Sequence, residues 1–293
     1  MSWNGCEPFS FLLLLSTDNF SLVIPRPSNR ASQLPALALF RNLSTMSSVN
    51  NEHDITSVAI ETSCRAGGVA LGLGGKMVCE ASLGPSGRHA AELLARLDEL
   101  LAAGGLGPGD LNEVYVSVGP GSFTGLRVGI TAVRTLGQVL PSLKIVAVPT
   151  PAVVAENLAG DAAWLHLGVM LAAKRATTAQ PECSVCATLF GRGENGQAEQ
   201  VGEATLETPG ELLTRWPRPL LLTGEGLEYA DIQASEDIQL APPELRLPTV
   251  ENVWRFGWRM ARAEQFTPYQ KLLPVYARRP EALRLWESRQ IGK

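Results

Sequence analysis

Seven residues, Gly119-Pro-Gly-Ser-Phe-Thr-Gly125, join an apolar run to an amphipathic one and are the first place to look for chemistry. Gly119 and Gly121 permit positive φ and close backbone approach. Ser122 or Thr124 can cap the helix that follows, and the N–H groups at a helix start attract anions. Gly119, Gly121, Ser122, Thr124, Gly125 and Arg127 are therefore the candidate anion- or nucleotide-binding residues. A tight turn that only permits close packing is the competing reading, and the residues leave both open. Two other readings fail on spacing. A phosphate loop of the form G-x-x-x-x-G-K-[ST] needs a lysine after its last glycine, but Leu126 follows Gly125. A dinucleotide fingerprint needs an acidic residue about 20 positions on for the ribose, and no Asp or Glu lies between Glu113 and Glu156.

Other reactive groups are sparse. Cys183 and Cys186 form a lone CxxC, and zinc would need two more ligands beside them. If "CSVCATLF" is a strand, positions i and i+3 face opposite sides, so the two sulfurs cannot share a metal. The histidines are His53, His89 and His166, and Ser122 and Thr124 show no evident His–Asp partners for nucleophilic work. No metal site and no cofactor are expected. Five cysteines in 293 residues do not make a disulfide framework and fit a reducing, cytoplasmic setting. A net charge of −4 and a pI of about 5.5 argue against autonomous nucleic-acid binding.

The elements that must hold these residues are legible from Thr56 onward. "TSVAIETS", "GVALGLGG" and "KMVCEASL" read as a three-strand meander with Gly-rich turns. "HAAELLARLDELLAAGG" is a helix with Leu93, Leu94, Leu97, Leu100 and Leu101 on one stripe. Glu113–Val118 is a strand, about Leu126–Leu140 a second helix, "KIVAVP" a fifth strand, and "TPAVVAENL" a helix capped by Thr150. Strands linked through helices imply parallel pairing. The second half is less regular: "WLHLGVMLAAK", "CSVCATLFG" and "PLLLTGEG" read as strands, "ELLTRW" and "TVENVWRFGWRMARAEQ" as helices, and "PEALRLWESRQ" as a last helix. Residues 1–54 lack periodicity and a membrane-length apolar run. They are expected to be disordered and outside the fold, with Met46 as the true start.

"SVAIETSCRAGGVAL", "GRHAAELLARLDELLAAGGLGPGDLNEVYVSVGPGSFTGLRVGITAVRTLGQ" and "LLPVYARRPEA" resemble the TsaB family of tRNA threonylcarbamoyladenosine biosynthesis proteins. The resemblance is strong over about 55–158, thinner over 159–265, and returns at Leu272–Ala282. It implies an α/β, actin-like (ribonuclease-H-like) fold of two lobes with a mixed sheet. Residues 55–158 would be the first lobe and 159–293 a smaller second one, with the C-terminal helix able to cross back. It implies a non-catalytic scaffold and activator of a TsaD-type transferase, working with a TsaE-type ATPase to place threonylcarbamoyl on N6 of adenosine 37 in tRNA. The tRNA would be met indirectly through the complex, no membrane is involved, and a homodimer is conceivable when the partner is missing. Leu93 and Leu97 on the first long helix, and Gly129, Ile130 and Val133 on the second, are the candidate partner surface.

Kinase-like relatives of that fold end their first strand in a metal-binding Asp. Here the position is Glu61, and "YVSVGPG" supplies no second carboxylate. The metal-bearing paralogue uses a His-x-x-x-His pair, whereas here Leu93 follows His89 at that spacing. Ala172-Ala173-Lys174 stands where similar proteins carry an Asp-Ala-Arg turn, which unsettles any second-lobe ligand contact. The rival is a catalytic actin-like phosphotransferase or metallohydrolase acting through Glu61 and the glycine loop.

Overall fold

The computed structural model describes residues 55–84, 89–160, 164–174, 183–193 and 195–277. The expected disorder of 1–54, the Met46 start and the last helix "PEALRLWESRQ" lie outside them. The first sheet begins as the meander β1 (Thr56–Glu61), β2 (Gly68–Leu73) and β3 (Lys76–Ser82), with all six β1 residues buried. Helix α1 (His89–Ala103) leads to β4 (Glu113–Gly119), α2 (Phe123–Val139), β5 (Lys144–Pro149) and α3 (Thr150–Ala155). The strand order is β3-β2-β1-β4-β5. The meander pairs antiparallel, while β4 and β5 join parallel, as helix-linked strands must.

The second sheet repeats this plan. Strands β6 (His166–Lys174), β7 (Ser184–Arg192) and β8 (Ala198–Glu207) form another antiparallel meander. Helix α4 (Pro209–Arg215) leads to β9 (Leu220–Thr223), and β10 (Ile238–Leu240) follows. Read from β8, the order is β8-β7-β6-β9-β10, with the last two strands again parallel. The duplication is topological and leaves no sequence periodicity. Its second copy is trimmed: where the first has the 17-residue α2, the second has the single turn Glu225–Glu228.

Helices α1 and α2 cover one face of the first sheet, where Leu93, Leu97, Leu101, Leu126, Ile130 and Val133 meet Val58, Ile60, Val114 and Val116. Helix α5 (Val250–Arg262) covers the opposite face, with Val253 and Trp254 on Ala59, Ala70 and Tyr115. Leu272 joins the α1–α2 core, so residues 250–272 belong physically with the first sheet although the sequence put 159–293 in a second lobe. Helix α3 is the wedge between sheets: Val153 packs on the first and Val154 and Ala155 on the second.

The return of α5 is fixed by polar contacts as well as packing. Trp254 lies over Gly72, where a Cβ would stand 2.1 Å from the indole, and its Nε1–H donates to Ser57 at 3.0 Å. Buried Glu113 accepts from the Tyr115 hydroxyl at 2.5 Å and from Arg262. Arg259 grips Glu156 through two hydrogen bonds of 2.7 and 2.6 Å. Thr249 caps α5 as expected, accepting from Asn252 N–H at 3.2 Å. Two boundary expectations are corrected. Helix α2 starts three residues before Leu126, because Ser122 is its cap. Thr150 is the first residue of α3 rather than its cap, since Pro149 already holds the extended flanking conformation.

Candidate functional site

The glycine loop is shaped by contact with the chain that leaves β1. Gly119 has φ +107°, and a Cβ there would meet Val275 O at 2.3 Å. At Gly121 a Cβ would lie 2.4 Å from Ser63 O, at Gly125 1.9 Å from Thr62 O, and at Gly129 2.5 Å from Thr62 Oγ1. The Ser122 N–H donates to Ser63 O at 2.6 Å, and Ser122 Oγ accepts from Gly125 N–H at 3.3 Å. Each glycine thus has a packing reason: Gly119 makes room for Val275, while Gly121, Gly125 and Gly129 let the start of α2 lie against Thr62–Ser63. Thr62, Ser63 and Ser117 were missed as determinants of this loop; the clustered hydroxyls in "ETS" were the only signal.

The expected residues divide. Gly121, Ser122, Thr124 and Gly125 line a cleft of ≈ 500 Å³ between the two sheets, together with Ser63, Cys64, Arg65 and His89. Arg127 does not line it. Its guanidinium lies 3.8 Å from the Phe123 ring centroid and its Nε–H donates to Tyr276 Oη at 3.2 Å. The facing wall comes from Ala172 of β6 and from Glu225 and Tyr229 after β9. That wall repeats the glycine device: Gly224 has φ +106°, and Cβ atoms at Gly224 and Gly226 would stand 2.2 and 2.7 Å from Met170 O in β6.

The partner-surface expectation is corrected at its named residues. Leu93, Leu97, Gly129, Ile130 and Val133 are all buried on the sheet side of their helices. Of the leucine stripe, Leu93, Leu97, Leu100 and Leu101 are taken up by the sheet and by the contact between α1 and α2, while Leu94 stays exposed. What the pair shows outward includes Ala91, Leu94, Ala95, Asp98 and Glu99 on α1, and Thr131, Arg134, Thr135, Gln138 and Val139 on α2.

Glu61 does not project a free carboxylate. It is fully buried, with Oε1 accepting from Ser63 N–H at 2.5 Å and Ser63 Oγ–H at 2.6 Å, and Oε2 bonded to Ser117 on β4. It ties the end of β1 to β4 and shapes the turn that receives α2. Burial pushes its carboxyl above the usual carboxylate range, against the hydrogen bonds from Ser117 and Ser63. The neighbouring Cys64 thiol is pushed up to about 12, chiefly by burial and then by Glu61, so it is a poor nucleophile. Cys183 and Cys186 are buried free thiols, and Cys186 packs in the α3 core. Among the described residues no three His, Cys, Asp or Glu side chains group as a metal site, and no helix is long and apolar enough to cross a membrane.

The raised carboxyl predicts a pH signature. The folded state favours protonated Glu61, so its contribution is fully present below the unfolded value of 4.5 and declines as pH rises through the higher folded value. Glu61→Gln removes that titration. Urea unfolding from pH 4 to 8 should show the wild type losing stability relative to Glu61→Gln as pH increases; a constant difference would mean that Glu61 titrates normally.

The family model described as "TsaD: tRNA N6-adenosine threonylcarbamoyltransferase" matches residues 85–178. The tRNA threonylcarbamoyladenosine biosynthesis protein TsaB of Escherichia coli K12 is 27% identical over 237 residues, covering 75% of this chain and 94% of that protein. TsaB of Haemophilus influenzae is 36% identical over 94 residues, covering 31% and 39%. The solved structure of YeaZ from Pseudomonas aeruginosa superposes with a TM-score of 0.64 at 21% identity, over 76% of this chain and 99% of that one. The two-lobed α/β architecture with paired mixed sheets is therefore the fold of that structure, as expected from the sequence.

Proposed function

We propose that this chain, similar to TsaB over three quarters of its length, serves tRNA threonylcarbamoyladenosine formation as a non-catalytic scaffold and activator of a TsaD-type transferase. The observation that supports this most is Glu61: the carboxyl that ends β1 is buried and spent on Ser63 and Ser117, holding a turn in shape. Cys64 beside it is held protonated. The glycine loop, the other candidate for chemistry, has a packing reason at each glycine.

The partner in this reading docks on the outward faces of α1 and α2. Ala91, Ala95 and Thr131 are small enough for helices to approach closely, and Leu94 is exposed among them. A TsaE-type ATPase joins the same assembly, tRNA is reached through it, and the complex works in the cytoplasm. A homodimer through the same helices is the alternative occupant when the transferase is absent.

Reconstitution tests the proposal. Incorporation of labelled threonylcarbamoyl into tRNA is measured with the organism's TsaD- and TsaE-type proteins, with and without this chain. The chain alone should give background incorporation and no nucleotide turnover, and its addition should raise the rate of the others. Turnover by the chain alone that disappears in Glu61→Gln would establish the phosphotransferase reading instead.

A further inference from the structure

One flank of α2 is crossed by residues 265–277, and the two together make a face of a single charge. The crossing segment is pinned at both ends: Thr267 N–H donates to Ile145 O at 2.7 Å, and Val275 N–H to Val118 O at 2.7 Å. Between them Leu272 is buried in the α1–α2 core, and Tyr269 packs on Gly137, where an added Cβ would stand 2.8 Å from the tyrosine's own. Helix α2 carries Arg127 and Arg134 two turns apart on one stripe, about 10 Å along its axis. Lys271 stands on the crossing segment. All three are exposed, and none is in an ion pair among the described residues. No Asp or Glu lies between Glu113 and Glu156, or anywhere in 265–277. The neighbouring α1 is the contrast, with Glu92, Asp98 and Glu99. In a chain of net charge −4, overall composition does not account for such a face.

A second, independent feature sits at the end of the stripe. Phe123, the first residue of α2, is 46% exposed. Its ring centroid lies 5.1 Å from that of half-buried Tyr276, and the Arg127 guanidinium lies 3.8 Å from the same centroid. The hydrogen bond from Arg127 Nε–H to Tyr276 Oη, 3.2 Å, holds the group together. Aromatic rings and guanidinium planes are what unpaired bases stack on. Spaced cations on an acid-free face neutralise successive phosphates. A carboxylate-rich protein segment would use the cations but brings no flat π-face to the ring pair.

We propose that this face binds RNA directly: the phosphates of a single-stranded stretch run along Arg127, Arg134 and Lys271, and an unpaired base stacks on the platform of Phe123, Arg127 and Tyr276. Three cations on an acidic chain give weak affinity, so the contact orients RNA within a larger assembly rather than capturing it alone. Naming tRNA as that RNA rests on the function proposed above, and it turns an indirect contact into a direct one. The face is separate from the cleft between the sheets, since neither Phe123 nor Arg127 lines it.

The test is an anisotropy titration of labelled, unmodified tRNA with the full chain at several salt concentrations, with assembly onto the TsaD-type protein measured in parallel. The wild type should bind saturably at low salt, with a dissociation constant of about 10⁻⁴ M or tighter. Arg134→Gln combined with Lys271→Gln, both at exposed positions, should weaken binding tenfold or more. It should also flatten the log–log salt slope by about 1.4, two single-strand phosphate contacts at about 0.7 each. Phe123→Ala should weaken binding about fivefold or more and leave the slope unchanged. Circular dichroism checks that the variants fold, and Phe123→Leu, which keeps apolar bulk, replaces the alanine variant if that one does not. Labelled polyglutamate should bind more weakly than tRNA; equal binding would assign the face to an acidic protein and overturn the proposal. No saturable tRNA binding, or wild-type affinity in either folded variant, overturns it too. Failure to assemble with the TsaD-type protein would count against the scaffold role alone, because the tRNA titration uses the isolated chain.

Discussion

Leu97→Glu and Val133→Glu should leave the chain unfolded, whereas Leu94→Glu should leave it folded and unable to hold the proposed TsaD-type partner. Leu97 is 4% exposed and Val133 0%, both facing the strands beneath their helices; Leu94, one turn from Leu97 on the same helix, is 57% exposed. Each buried replacement forfeits about 1.5–3 kcal/mol of apolar transfer. It also places a carboxyl where no polar partner waits, a cost of several kcal/mol. Against a typical total of about 5–15 kcal/mol, either change is enough to lose cooperative folding. Leu94→Glu removes no core contact, so its circular dichroism and urea midpoint should match wild type. Its affinity for the TsaD-type partner should fall tenfold or more, equivalent to about 1.4 kcal/mol. A folded Leu97→Glu would contradict the core assignment, and a folded Leu94→Glu with unchanged affinity would move the docking surface off these helices.

That pair of neighbours shows where sequence reasoning ran out. Periodicity placed α1 and its leucine stripe correctly, because apolar spacing of three and four is a local property of the chain. It could not say how wide a stripe the sheet would absorb. Leu93, Leu97, Leu100 and Leu101 are all covered because α2 packs beside α1 on the same sheet face, a non-local fact. The return of α5 was hidden for a similar reason. Its amphipathic stripe was evident, but the partner of Trp254 is Gly72, 182 residues earlier in the chain. Strands β8 and β10 were not read at all: β8 is an edge strand of mostly exposed residues, and β10 is three residues long. At the site, Glu61 and the glycine loop were recognised as special, but the hydroxyls of Ser63 and Ser117 that define Glu61's role approach it only once β1 and β4 pair.

Gly125→Ala is the change that separates the two readings of the glycine loop. The added methyl would sit 1.9 Å from the Thr62 carbonyl oxygen and 3.1 Å from its carbon. The obstacle is backbone, and that backbone is held in turn by the Ser122 N–H bond to Ser63 O and by the Glu61 carboxylate grip on Ser63. Relief requires α2 to lift from the β1 exit, which loosens Leu126 and Ile130 in the core behind it. Overpacking of this kind costs about 1–3 kcal/mol and occasionally more, and a rigid backbone obstacle puts Gly125→Ala at the upper end. Alanine is otherwise the better helix former by about 1 kcal/mol, so the sign of the effect is informative. Gly109→Ala is the matched control: it lies in a short helical turn, Pro108–Asp110, where an added Cβ meets nothing within 4 Å. Urea midpoints should fall clearly for Gly125→Ala and hold or rise for Gly109→Ala. If Gly125→Ala instead melts like wild type or above it and loses only phosphate binding, Gly125 serves an anion rather than the close seating of α2 on Thr62, and the packing account of this loop is wrong.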